Sequence, residues 1–358
     1  MTPETYAHVS NLLIPTATVI YALAMVSHAM EWALGRAAVA RKTAPAEQAE
    51  AQVLVSSAAT ANSATVSAGV GTTTGVGTAT AVGTTSAAGG SGASSTSGAA
   101  GAATERLDAA SRIGLLLTWM GFVFHLGGVV TRGLAAGRVP WGNMYEFSIT
   151  ASLAVAIVYL IFVQRYKLQW LGLGVTLVVA SVLGLASLAL YTPAGPLVPA
   201  LHSYWLVLHV SAAATSGGGF TVGGLISVLY LLKARAERRV LEGGTMSTAL
   251  RRLPSAESMD GTAYKVLAFS FPLWTFAVLV AGPIWAQYAW GRYWGWDPKE
   301  VWSLVTWVVY AAYLHARATA GWRGRRAATI AIVGWFVFLF NFVGVNLLVS
   351  GMHSYAGV

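Results

Sequence analysis

Residues 290–302 read Trp290-Gly-Arg-Tyr-Trp-Gly-Trp-Asp-Pro-Lys-Glu-Val-Trp302, placing four tryptophans, a tyrosine and two carboxylates between two long apolar segments. A membrane helix is not built this way. Indoles offer flat, rigid apolar faces with one N–H handle, so a cluster this dense suits a large planar ligand held at a membrane surface. The flanking segments belong to a wider pattern. Hydrophobic residues make up 56% of the chain and charged residues 10%, and several apolar runs reach membrane-spanning length. Eight spans are expected, near 8–30, 112–131, 145–164, 168–191, 204–232, 266–287, 301–316 and 327–350. The fold class is therefore an all-α, polytopic membrane helix bundle of about eight transmembrane helices. The first span opens with Glu4 rather than a basic cluster and runs too long before any cleavage-like site, so it is expected as a retained helix.

The chain has 22 Lys and Arg and a net charge of +9, which could suggest nucleic acid. Position explains it instead. Arg132, Arg138, Arg292 and Lys299 fall on one side of the spans and the other bases on the opposite side. Because cytoplasmic loops collect Lys and Arg, both termini, the tryptophan-rich segment, the 132–144 loop and the Pro193–Pro199 loop are expected outside. Residues 43–104 are a different material, dominated by Ala, Gly, Ser and Thr, and cannot bury enough apolar area to order themselves. An extra span across Ala59–Val82 is disfavoured, because it would invert everything after it and put the bases outside. Three parts follow: an N-terminal transmembrane helix at 1–34, a disordered cytoplasmic linker at 35–108, and a seven-helix domain at 109–358 carrying the external segment 290–302.

No cysteine is present, which excludes disulfides, thiolate metal sites, a thiol nucleophile and thioether attachment of haem to this chain. Haem is the first planar ligand to consider, and any haem here is non-covalent. Without cysteine its iron is most often held by imidazole. His209 lies one to two turns from the outer end of the fifth span, at a rise of about 1.5 Å per residue. His353 lies just beyond the outer end of the eighth. Both flank the tryptophan-rich segment, so a porphyrin lying on it could receive an imidazole from each. His315 sits near the inner end of the seventh span, about 20 Å from its start, and implies a second, deeper ligand position.

Each reading has an ordinary rival. A single intramembrane histidine can simply hydrogen-bond between helices, and His28 and His125 stay open on that point. His8 and His202 read as surface or interfacial residues. A tryptophan cluster can be an interfacial belt, although a belt does not require the Gly-Trp-Asp-Pro turn or a carboxylate inside it. Gly217–Gly219 and Gly223–Gly224 read as sites of close helix packing or a kink, since no strand precedes them as a phosphate loop would require. Lys299 and Arg292 are open between neutralising haem propionates and being solvated loop charges. Asp297 is placed to orient a ring N–H or to shape the turn, with nothing supporting an acid–base role.

Four stretches carry a family resemblance: 290–300; Pro-Trp-Gly-Asn-Met-Tyr-Glu at 140–146; Pro-Leu-Val-Pro-Ala-Leu-His-Ser-Tyr-Trp-Leu-Val-Leu-His-Val at 196–210; and Val-Asn-Leu-Leu-Val-Ser-Gly-Met-His-Ser-Tyr at 345–355. In order, spacing and membrane side the chain resembles the CcsA (ResC) proteins of cytochrome c biogenesis, haem-handling proteins with a tryptophan-rich "WWD" domain. The resemblance covers most of the chain from about 112 onward. It implies System II maturation in a bacterial plasma membrane, with the active face external. A ResB-type membrane partner would help carry haem b across the bilayer and present it to the Cys-x-x-Cys-His motif of apocytochrome c, as a transporter and synthase subunit. By position, His209 and His353 resemble the external axial ligands of the iron and His315 the membrane-embedded one, whose second ligand comes from the partner, with His28 an in-chain rival. The cofactor-binding set is then His209, His353, His315, Trp290, Trp294, Trp296, Asp297 and Trp302, with no certain catalytic residue. The chain departs from the family in its long linker and in His202, where related proteins often carry Gln. A haem-delivery protein serving a chaperone, a b-type cytochrome and a purely structural assembly subunit are the alternatives; four facing histidine partners, which the b-type cytochrome needs, are not found.

Overall fold

The described residues of this computed structural model, 1–33, 93–195 and 203–353 with the backbone alone for 93–108, form helices joined by short connections. Seven helical stretches are long and apolar enough to cross a membrane. These are α1 (Pro3–Ala33), the Ala109–Ala136 part of α2 (Ala93–Ala136), α3 (Met144–Tyr166), α4 (Gly172–Ala189) with the 3₁₀ turn Leu168–Leu171 before it, α5 (Tyr204–Leu241), the run Ala256–Trp290, and Arg325–Leu348. The expected span at 301–316 lies in α9 (Pro298–Thr319). Its 22 residues reach about 33 Å, but Trp302, Trp307, Tyr310, Tyr313 and His315 make it less apolar than the seven. A short α6 (Thr248–Arg251) joins α5 to the next span.

Contacts divide the chain into two units, Met1–Met30 with Ala110–Val358, and Glu31–Ala109. The first contains every residue discussed below. The second contains the last turn of α1 and the first part of α2. The expected linker at 35–108 falls mostly outside the described residues, as does His202, and α2 already runs from Ala93. The expected 132–144 loop is shorter than its sequence suggested, because α2 continues through Arg132 to Ala136.

Two of the spanning helices are interrupted by five-residue π-turns. Ala277–Ala281 separates α7 (Ala256–Phe276) from α8 (Gly282–Trp290), and Phe340–Gly344 separates α10 (Arg325–Leu339) from α11 (Val345–Leu348). Pro283 sits at the start of α8, where its missing N–H costs no regular helical bond. Such π-insertions are rare and collect at functional sites. Polar N-caps define the entries of several spans: Asn143 accepts from the Glu146 amide, Ser203 from Trp205, Ser255 from Ser258 and Asp297 from Lys299.

Helix α5 is the centre, packed against α3, α7 and α10. Its glycines explain why. A Cβ on Gly218 would lie 2.8 Å from the backbone of Ala154 in α3, and one on Gly224 would lie 2.5 Å from the indole of Trp335 in α10. Helix α5 runs unbroken through them, so close packing rather than a kink is their use. Around this axis Phe220 stacks on Tyr310 with ring centroids 3.9 Å apart, inside a core completed by Leu267, Trp274, Tyr313 and Phe338. Backbone cannot yield as a side chain can, so Gly218→Leu is expected to separate α3 from α5. The thermal midpoint of the detergent-solubilised protein should fall, at a cost at or above the ~1–3 kcal/mol typical of overpacking. An unchanged midpoint would refute the packing role.

Candidate functional site

One cavity of about 600 Å³ opens among α3, α4, α5, the two π-turns and the start of α9. That volume falls within the range of pockets for small molecules and cofactors. Its wall is almost wholly apolar, with Val155, Val210, Trp274 and Phe338 among its residues, and His209, His353, Lys299 and Asn346 are among the few polar groups that reach it.

The two histidines are held alike. His209 enters from the second turn of α5, and its Nδ1 lies 2.8 Å from the carbonyl of Ala277, the first residue of the π-turn. A carbonyl only accepts, so Nδ1 carries the proton and Nε2 the lone pair. His353 follows α11, and its Nδ1 donates to Asp297 Oδ2 at 2.8 Å. That pairing gives the same tautomer. Neither Nε2 has a hydrogen-bond partner among the described residues, and both rings line the cavity. Trp285 ties the pair together, stacking on His209 at 5.9 Å and lying 5.6 Å from His353, while Trp290 meets His353 edge-on at 4.9 Å. Two imidazoles, each fixed through Nδ1 and turning Nε2 to the cavity, are a donor set for a transition metal such as iron. The cavity and its donors fit a flat iron porphyrin.

Asp297 is a buried hub. Besides His353 it accepts the Met352 amide at 2.6 Å through Oδ1 and the Lys299 amide at 3.1 Å through Oδ2, so it seats the segment after α11 on the start of α9. Glu300 completes the capping box, its Oε2 accepting the amides of Gly295 and Asp297. Burial pushes the Asp297 carboxyl up, but the hydrogen bonds from His353 and Met352 outweigh it and hold the group below its ordinary value of 3.8. A depressed carboxyl stabilises the fold above that ordinary value and loses its contribution as pH falls through the lowered one. The clasp is intact at neutral pH and lets go only in acid.

Lys299 lies ahead of the apolar stretch of α9. Its Nζ donates to the carbonyl of Asn341, in the second π-turn, at 2.7 Å and to Asn346 Oδ1 at 2.9 Å. Burial pulls its ammonium down to about 7, against the opposing pull of Asp297. Thus each π-turn supplies a carbonyl to a side chain that reaches the cavity.

The remaining candidates separate. Trp294 lines the cavity with Trp290. Trp296 does not: it is 70% exposed, sits at φ 58°, and touches Trp294 edge-on from outside. Trp302 also stays out of the wall, packed on Phe340. His315 is exposed on the stripe of α9 that includes Val308 and Ala312. His28 is buried between Gly114 and Gly172, where a Cβ would come within 2.7 and 2.5 Å of its ring, and it does not open to the cavity. His125 is buried and its Nε2 meets the Ile149 carbonyl at 2.8 Å, an interhelical hydrogen bond. His8 is exposed. Arg292 is exposed and reaches Met352 Sδ rather than the cavity. Sequence reading missed Trp285, which no local pattern distinguishes from a lipid-facing tryptophan.

Behind the wall the 140–146 motif has a structural account. Glu146, fully buried, takes Arg132 Nε at 3.0 Å, Arg138 Nη1 at 2.7 Å and the Gly142 amide at 2.7 Å. The arginines also reach the carbonyls of Thr192 and Gly195. Trp141 packs with Leu206, Val210 and Trp285 beside the site.

Residues 141–353 match the model of the cytochrome C assembly protein family. Among curated relatives, the cytochrome c biogenesis protein CcsA of Porphyra purpurea is 34% identical over 287 residues, covering 71% of this chain and 90% of the relative. CcsA of Microcystis aeruginosa is 35% identical over 267 residues, covering 63% and 81%. CcsA of Guillardia theta is 37% identical over 241 residues, covering 63% and 79%. The match runs from the buried Trp141 to His353 and so takes in the whole cavity: this chain belongs to the cytochrome c assembly protein family.

Proposed function

We propose that this protein serves cytochrome c maturation by holding haem b, as non-covalent cargo, in the cavity between His209 and His353, and presenting it to apocytochrome c. The observation that carries the reading is the matched tautomer of the two histidines, each offering an unpartnered Nε2 to one apolar cavity. Trp285, Trp290 and Trp294 supply flat faces for the macrocycle. The chemistry asked of the chain is positioning, which removes the entropy of a bimolecular encounter between vinyl groups and incoming thiols.

In this reading residues 109–358 form the haem-handling domain, and the segment 290–302 lies on the external face of a bacterial plasma membrane. His315, exposed on α9, belongs to a second haem position shared with a ResB-type partner, and the two proteins together bring haem across.

The test is titration of the full chain, in detergent and with its co-purified partner, with haem. A six-coordinate absorption spectrum is expected; a protein that takes up no haem favours the assembly-subunit alternative. Asp297→Asn sharpens the test. Asparagine is an equally good N-cap, so α9 should keep its start, whereas the charged acceptor behind His353 is lost. Haem affinity should fall roughly 10–100-fold, the usual consequence of removing a ligand's orienting partner. Unaltered affinity would remove Asp297 from the site.

A further inference from the structure

Lys299 places its amino group at the wall of an apolar cavity with no carboxylate in contact with it, Asp297 acting on it only at longer range. Among the described residues no carboxylate lies within ion-pair distance of its Nζ, and its hydrogen bonds go to two neutral acceptors, Asn341 O and Asn346 Oδ1. The two carboxylates nearest in sequence are engaged by other donors, although Glu300 also reaches the cavity wall. Asp297 holds His353 and the amides of Met352 and Lys299, and Glu300 holds the amides of Gly295 and Asp297. An ammonium has three protons to donate, and two are used. Charge brought to an apolar wall is costly unless it is paired, and here the fold holds the charge in place with the carbonyl of a π-turn. The missing partner is an anion that arrives with whatever fills the cavity.

Resting on the haem reading above, we propose that Lys299 is the anchor for a carboxylate of the bound porphyrin. Haem carries two propionates on one edge and its vinyl groups on others. Two axial imidazoles leave the macrocycle free to rotate about the axis through the iron. A fixed cation at the wall selects one rotational setting, and so decides which edge faces the incoming peptide. Arg292, the other base considered for this role, is exposed and directed at Met352 Sδ.

The experiment compares binding of haem with binding of haem dimethyl ester, in which both carboxylates are masked, by absorption titration of the full chain in detergent. Wild type should prefer the free acid by about tenfold or more, the scale of a charge-assisted hydrogen bond. Lys299→Gln should bring the preference close to one, and Lys299→Arg should restore it. A purely structural tie between α9 and the π-turn would instead weaken both porphyrins alike and leave the ratio unchanged in Lys299→Gln, which would overturn the inference. Wild type that binds both porphyrins equally overturns the anchor but leaves the haem reading standing. Wild type that binds neither overturns both. Should Lys299→Gln fail to accumulate, the wild-type ratio together with that of Lys299→Arg still decides, since equal binding in both is incompatible with a carboxylate anchor.

Discussion

Replacing His209 or His353 with alanine is expected to abolish the six-coordinate haem signal, and imidazole added to the medium is expected to restore part of it. On the proposed reading each substitution removes an iron ligand, so the loss of affinity should exceed the roughly 10–100-fold expected for an orienting partner alone. The geometry favours rescue. Alanine leaves an imidazole-sized space against Trp285 with a fixed acceptor at its back, the Ala277 carbonyl in one case and Asp297 in the other. The two variants should differ in degree. A carboxylate raises the basicity of the imidazole it orients more than a peptide carbonyl does, so on the same reading His353 is expected to be the stronger ligand and its loss the more damaging. Retention of the wild-type spectrum in both variants would defeat the assignment of the cavity.

The second large effect belongs to Glu146, which does not line the cavity. Arg132 and Glu146 are fully buried, and Arg138 is only 13% exposed, so Glu146→Ala strands two guanidinium groups around an empty space. Breaking a buried pair by removing one partner costs about 3–5 kcal/mol. The thermal midpoint in detergent should drop by several degrees, with haem uptake falling alongside as the turn bearing Trp141 loosens. Exposed Glu4→Gln is the control, expected to change neither. A Glu146→Ala protein with an unaltered midpoint would mean that the arginines find other partners and that the cluster is not what holds this turn.

The contrast between these residues shows where local sequence stops being informative. By sequence Arg132 and Arg138 read as charges of an external loop. Nothing within a few residues distinguishes a solvated arginine from one buried against a glutamate in the following helix, since that depends on how α2 and α3 meet. Trp296 and Trp302 looked equivalent to Trp290 and Trp294 in a cluster of four. The left-handed backbone at Trp296, pinned by the Asp297–Glu300 capping box, turns that indole outward, and Trp302 faces Phe340. By sequence Lys299 reads equally as ligand or as solvated charge; the second π-turn and α11 bring Asn341 and Asn346 against it. Trp285 stands out in no local pattern, yet it is the ring that packs on both histidines.

What the sequence determined by itself was the membrane class, the position of most spans and the placing of His209 and His353 at one end of the bundle. Hydropathy, turn chemistry and charge placement are local or additive properties, and the two histidines could be paired because topology alone puts them at one end of the bundle. Only the tertiary structure decided which nitrogen each histidine presents, which tryptophans form the wall and which charges are buried. Those outcomes depend on contacts between helices far apart in the chain, made possible by the glycines of α5 and by two π-turns that the residues forming them do not announce.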